Sequence, residues 1–224
     1  MQQLVQETAS VVMVGSFNPS IFQPHWLALK GLIRTQEAED ASVAIIQEQV
    51  ADFKTEWFRM QVVQNRFFTH TLDATHYGPI RDLVAGIFRL LSHTPVNRLV
   101  IVRSFHFQMD SIDDWHEVGN TLAPKGIWNP LIDGAGLRSM TMEGRRQGIT
   151  DAVLFVKIEP SVPIKEGVFV EVTEEHKPSA GDEANAEWVP ARLNKHWDTM
   201  MEYAEEVARS LLMEVSQHAR SDGK

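Results

Sequence analysis

Hydrophobic positions change period several times along the chain, and each change predicts an element. Ser10 to Phe17 holds a short apolar run, Val11 to Val14, and reads as a strand. Asn18-Pro19 ends it, and Pro24 suits the first turn of a helix running to about Lys30, with Gly31 as its stop. A short helical stretch near Thr35 to Ala41 leads to a strand at Val43 to Gln47. Trp57 to Val63 and Phe67 to Leu72 flank Gln64-Asn65-Arg66 and predict a hairpin. Pro79 then opens a helix that carries Ile80, Leu83, Val84, Ile87, Phe88 and Leu91 on one face.

The second half begins after Pro95 with a long strand, Val96 to Met109, and a helix from Ile112 to Leu122 capped by Ser111 or Asp110. Pro124 to Gly136 holds two prolines and three glycines and reads as irregular. Strands follow at Leu137 to Glu143, Val153 to Glu159 and Val168 to Thr173. Residues 177–190 are polar and read as a flexible loop. A helix from Ala191 to Gln217 closes the chain, with Leu193, Trp197, Met200, Ala204, Val207, Leu211 and Val215 as its stripe, and a tail at 218–224. At 1.5 Å per residue that helix reaches about 40 Å.

Two segments resemble each other. Val11 to Phe17 and Leu99 to Phe105, 88 residues apart, share four of seven residues. Each is followed by a helix with adjacent Trp and His, His25-Trp26 and Trp115-His116, then by strands and an amphipathic helix. Similar strand composition without common origin is the alternative. The expectation is one α+β domain spanning 1–224, built from two β-α-β-β-α halves at about 10–92 and 96–217. It has a mostly antiparallel sheet of seven or eight strands, helices on one face and a long C-terminal helix.

Composition narrows the function classes. The absence of cysteine removes disulfides, thiolate nucleophiles and Cys-containing metal sites. The N-terminus lacks the basic and apolar regions of a signal peptide, and no apolar run can span a bilayer, so a cytoplasmic protein is expected. A net charge of −9 disfavours nucleic acid.

No catalytic signature is complete. Among the nine histidines none form the i, i+4 pair of a helical zinc motif, so no metal or cofactor is expected. Asp110 to Glu117 lacks a calcium loop's central glycine and reads as helix capping. Asp133-Gly134-Ala135-Gly136 lacks the Lys-Ser/Thr of a phosphate loop. Adjacent carboxylates such as Glu174-Glu175 and Glu205-Glu206 point apart and read as solvated surface.

Phe22-Gln23-Pro24-His25-Trp26, Asn65-Arg66-Phe67, His93-Thr94-Pro95 and His106-Phe107 together resemble a sporadically distributed family of uncharacterised bacterial proteins. The likeness runs to about Met109. The family has no established activity, so the resemblance implies no catalytic residue. Its patchy distribution implies an accessory role of the defence or toxin-immunity kind.

The leading expectation is a non-catalytic interaction or regulatory protein that binds a protein partner or a second copy of itself. Trp128, Trp188, Trp197, Met200, Met201 and Tyr203 are its interface candidates. The alternative is a ligand-binding or enzymatic domain in which Arg103, His106, His70 and Glu171 converge between the halves. Strict alternation puts Arg103 with Leu99, Ile101 and Phe105, so it is either buried with a carboxylate or turned outward by a bulge. A nucleic-acid-binding saddle is the third reading.

Overall fold

The computed structural model describes residues 2–179 and 185–222, the side chains of 219–222 excepted. The nine strands it describes are β1 (Gln3–Gly15), β2 (Ser42–Ile46), β3 (Val50–Lys54), β4 (Arg59–Val63), β5 (Arg66–Thr71), β6 (Val96–Gln108), β7 (Met140–Gly144), β8 (Ala152–Pro160) and β9 (Gly167–His176). The α-helices are α1 (Pro24–Leu29), α2 (Thr35–Glu39), α3 (Tyr77–Leu90), α4 (Ile112–Leu122) and α5 (Trp188–Asp222). All nine strands join one antiparallel sheet in the order β2-β3-β4-β5-β1-β6-β9-β8-β7.

The two 13-residue strands β1 and β6 lie side by side at the centre. Their alternation decides which way each face turns. Ala9, Val11 and Met13 on β1 and Leu99, Ile101, Phe105 and Phe107 on β6 are fully buried. The intervening Val12, Val100, Val102 and Ser104 are only half-buried. Helices α3 and α5 pack together and cover the buried face: Phe88 of α3 meets Phe67 at 5.2 Å, and Arg103 reaches the Met201 carbonyl of α5.

Several elements differ from the sequence expectation. The first strand starts at Gln3, not Ser10, because Gln3 to Thr8 pair with the far half of the long β6. Backbone pairing at the sheet centre draws in residues with no apolar pattern of their own. The ninth strand, β3, was not expected, since Asp52 and Lys54 interrupt its apolar run; Asp52 is buried by a bidentate contact with Arg59 of β4. The last helix begins at Trp188 and continues to Asp222. Pro190 does not bar the earlier start, because first-turn amides have no intrahelical acceptor. Of the expected 177–190 loop, residues 180–184 lie outside the described residues.

The expected stripe of α5 is also shifted. Leu193, Trp197, Met200, Ala204, Ala208, Leu212 and Val215 are buried, while Val207 and Leu211 pack only partly. The helix spans about 50 Å and packs this buried stripe on the sheet and its neighbours.

A close approach at Gly15 closes the central seam. Its Cα lies under the Pro95 carbonyl, and a β-carbon there would stand 2.1 Å from that oxygen. The obstacle is backbone and no rotamer relieves it. Gly15→Ala is therefore expected to destabilise by about 1–3 kcal/mol, read as a lower urea midpoint with an unchanged slope.

Candidate functional site

The sheet presents chemistry on both faces, and the sequence candidates divide between them. Arg103 follows the first of its two expected fates: it is buried at 5% exposure and paired. Its guanidinium lies 2.5 Å from Glu7 and 3.0 Å from Glu205, and it donates to the Met201 carbonyl. The rings of Phe105 and Tyr77 flank it at 4.8 and 5.4 Å. Burial and the Glu7 carboxylate push the Tyr77 phenol up to about 12. Arg103 thus ties β1, β6 and α5 together beneath the helices and anchors no ligand on the open face.

His70, His106 and Glu171 sit on the opposite face. His70 and Glu171 line a shallow open groove of about 720 Å³ with Arg66, Phe68, Ser104 and Thr8. Glu171 lies opposite Ser104, which lies opposite Thr8, while His70 lies opposite Ser10 in the next row. Three strand spacings separate His70 from Glu171, about 14 Å. They stand on opposite walls of the groove and cannot act on one bond. His106 is further along β6 and meets the Ser161 hydroxyl at 2.9 Å. The expected convergence of Arg103, His106, His70 and Glu171 is therefore corrected: the pleat sends Arg103 to the other face and the sheet's width separates the rest.

The interface candidates are corrected in the same way. Trp197 and Met200 are fully buried, Met201 is 7% and Trp188 9% exposed, and Tyr203 packs partly against the core. Trp188 lies in the first turn of α5 and not in a loop. Trp128 differs. It follows the 3-10 turn Lys125–Ile127 and is exposed, together with Ile127, Leu131 and Ile132. Beside this turn lies a cavity of about 270 Å³ whose walls include Trp115, Val118, Leu137, Ile158 and Val168.

A further cluster was missed. Glu174 is 1% exposed, so its reading as solvated surface fails: β9 carries Val168, Val170, Val172, Glu174 and His176 on its buried face. His176 Nε2 lies 2.9 Å from Glu174 Oε1, and His196 Nδ1 of α5 lies 3.5 Å from the same oxygen. Arg146, from the β7–β8 connection, sits with Nε 3.1 Å from Glu174 Oε2. One donor atom from each of Glu174, His176 and His196 fits within 4.8 Å of the others. These residues could hold a metal, although sequence spacing pointed to none. The available signal was Glu-x-His on a strand, where i and i+2 share a face.

No family model and no curated protein matches the chain. Among solved structures, the di-domain ARO/CYC StfQ from the steffimycin biosynthetic pathway is 10% identical, covering 97% of this chain and 99% of that one, with a TM-score of 0.20. Nothing about this chain's fold or chemistry follows from so weak a superposition.

Burial sets the pH behaviour of the open face. It raises the Glu171 carboxyl above the ordinary glutamate value, so the native state holds that proton more tightly than the unfolded chain. Stability contributed by this group is then lost as pH rises through the shifted range. Burial lowers His70 and His106, and there the unfolded chain protonates first, so stability is lost as pH falls below about 6.5. Glu171→Gln should raise the urea midpoint at pH 7 and leave it nearly unchanged at about pH 3, where both states are protonated.

Proposed function

We propose that the protein is a non-catalytic interaction protein that docks a partner protein on the turn after α4. The observation that carries this reading is the exposure of Ile127 (73%), Trp128 (47%), Leu131 (74%) and Ile132 (51%) within six residues. Apolar side chains grouped on a turn cost solvation free energy that a monomer recovers only by covering them. The adjacent cavity, about 270 Å³, has room for one large side chain of the partner. Aromatic anchors seated in such pockets dominate protein interfaces.

Other parts of the proposal rest on the sequence and the topology. A cytoplasmic, bacterial accessory role follows from the motif resemblance and the cysteine-free composition. Among the described residues no helix is long and apolar enough to cross a membrane. Duplication of the two halves is supported by several features. In each half the first strand lies at the sheet centre, the last strand pairs with it, and the others continue outward in reverse order. The 88-residue offset also sets Val12 directly opposite Val100 and aligns the first residues of α1 and α4, Pro24 and Ile112. On this reading all five helices gather on the covered face and leave the groove open.

The groove favours a second reading, binding of an extended ligand. Its polar walls at His70 and Glu171 stand too far apart for one reaction centre but suit a chain laid across the strands.

A photo-crosslinking amino acid at position 131 tests the docking surface, with position 162 as the control because Val162 is 97% exposed on a different loop. In lysate of the source cell, one adduct is expected from position 131 and none from 162. Excess wild-type protein should suppress it, whereas Trp128→Asp/Leu131→Asp should not. Equal labelling at both positions, or equal competition by the variant, would overturn the proposal.

A further inference from the structure

The cluster beneath the start of α5 has an unmet need. His196 is 1% exposed, and among the described residues neither of its ring nitrogens has a hydrogen-bond partner; His176 is fully buried and its Nδ1 has none there either. Buried polar atoms without partners are rare in folded proteins and ask for a cause. Of these three nitrogens, His196 Nδ1 is the one placed toward Glu174 Oε1, at 3.5 Å.

We propose that Glu174, His176 and His196 bind one divalent transition-metal ion, with zinc the best fit. Zinc bonds imidazole nitrogen and carboxylate oxygen at about 2.0–2.2 Å, which places neighbouring donors in a tetrahedral site about 3.3 Å apart. The distances from Glu174 Oε1 to His176 Nε2 and His196 Nδ1, 2.9 and 3.5 Å, bracket that spacing. Two neutral imidazoles and a carboxylate form a nitrogen–oxygen donor set that suits zinc and disfavours calcium or magnesium, which take oxygen.

Arg146 supplies the supporting contact. Its Nε lies 3.1 Å from Glu174 Oε2, which leaves Oε1 for the ion. Its Nη2, 3.5 Å from Oε1, limits the space and must give way by a short movement. With the arginine and a dication present, the site carries excess positive charge, so the fourth position suits an anion such as hydroxide. Asp151, which acts on His196 electrostatically, is engaged by Arg192 at 2.7 Å and lowers the local charge only in part. The ion would bridge β9 to α5, two elements that also pack directly.

The test uses the full-length protein, stripped with chelator, dialysed and titrated with zinc chloride by calorimetry. One ion per chain is expected, with a rise in thermal midpoint that grows with zinc concentration. Cobalt in place of zinc should give the intense visible absorption of a four-coordinate centre. His196→Gln and Glu174→Gln should weaken binding on the order of 100-fold, while His106→Gln, on the opposite face, should leave it unchanged. A folded wild-type protein that binds no zinc, or binds it only as weakly as His196→Gln, overturns the proposal. Undiminished binding in His196→Gln and Glu174→Gln also overturns it, because the ion then sits elsewhere. These readouts are independent of the docking turn, so either proposal can fail alone.

Discussion

The pairing of β1 with β6 is the constraint on which the rest of the molecule depends. Strands β2 to β5 reach the sheet centre only through β1, and β7 to β9 only through β6. The two strands run antiparallel from Gln3 opposite Gln108 to Gly15 opposite Val96. Arg103 fastens this seam to the helical layer through Glu7, Glu205 and the Met201 carbonyl. A buried guanidinium is costly unless its donors are met, and meeting them fixes where α5 crosses the sheet. With α5 fixed, His196 falls beside Glu174 and His176. The seam thus contributes to where the candidate metal residues lie, beside their own short contacts.

Much of this was legible in the sequence. Helix α3 follows its periodicity, α4 spans the residues predicted from its acidic first turn, and the β4–β5 hairpin lies between the predicted strands. What the sequence did not reveal has physical reasons. Gln3 to Thr8 become strand because of what they pair with, and β3 is held by an Asp52–Arg59 contact that hydrophobic counting ignores. Trp197, Met200 and Met201 read as interface residues because a helix that long has apolar residues to spare, and Trp188 because residues 177–190 read as a loop. The sheet beneath it covers them all. Glu174 was misjudged because its neighbour Glu175 is oriented the other way, and alternation through Val172 was the better guide.

The functional candidates share an origin in that alternation. One face of the sheet buries charge in two places, Arg103 among carboxylates and Glu174 among histidines. The other leaves His70 and Glu171 on the walls of a groove too wide for a single reacting bond. Among the described residues the turn from Ile127 to Ile132 groups four exposed apolar side chains, which is why the proposed partner is placed there. The acidic balance, −9 overall, weighs against a nucleic acid in the groove.

Native-state hydrogen exchange tests the central role of the seam most directly, because it reports the free energy at which each strand opens. The account predicts that Val11 to Val14 and Leu99 to Val102 share the slowest exchange. Their opening free energies should equal that of global unfolding measured by denaturant. Faster exchange at these amides than in both β4–β5 and β8–β9 would mean that the halves separate before they unfold. That result would contradict a structure organised around β1 and β6.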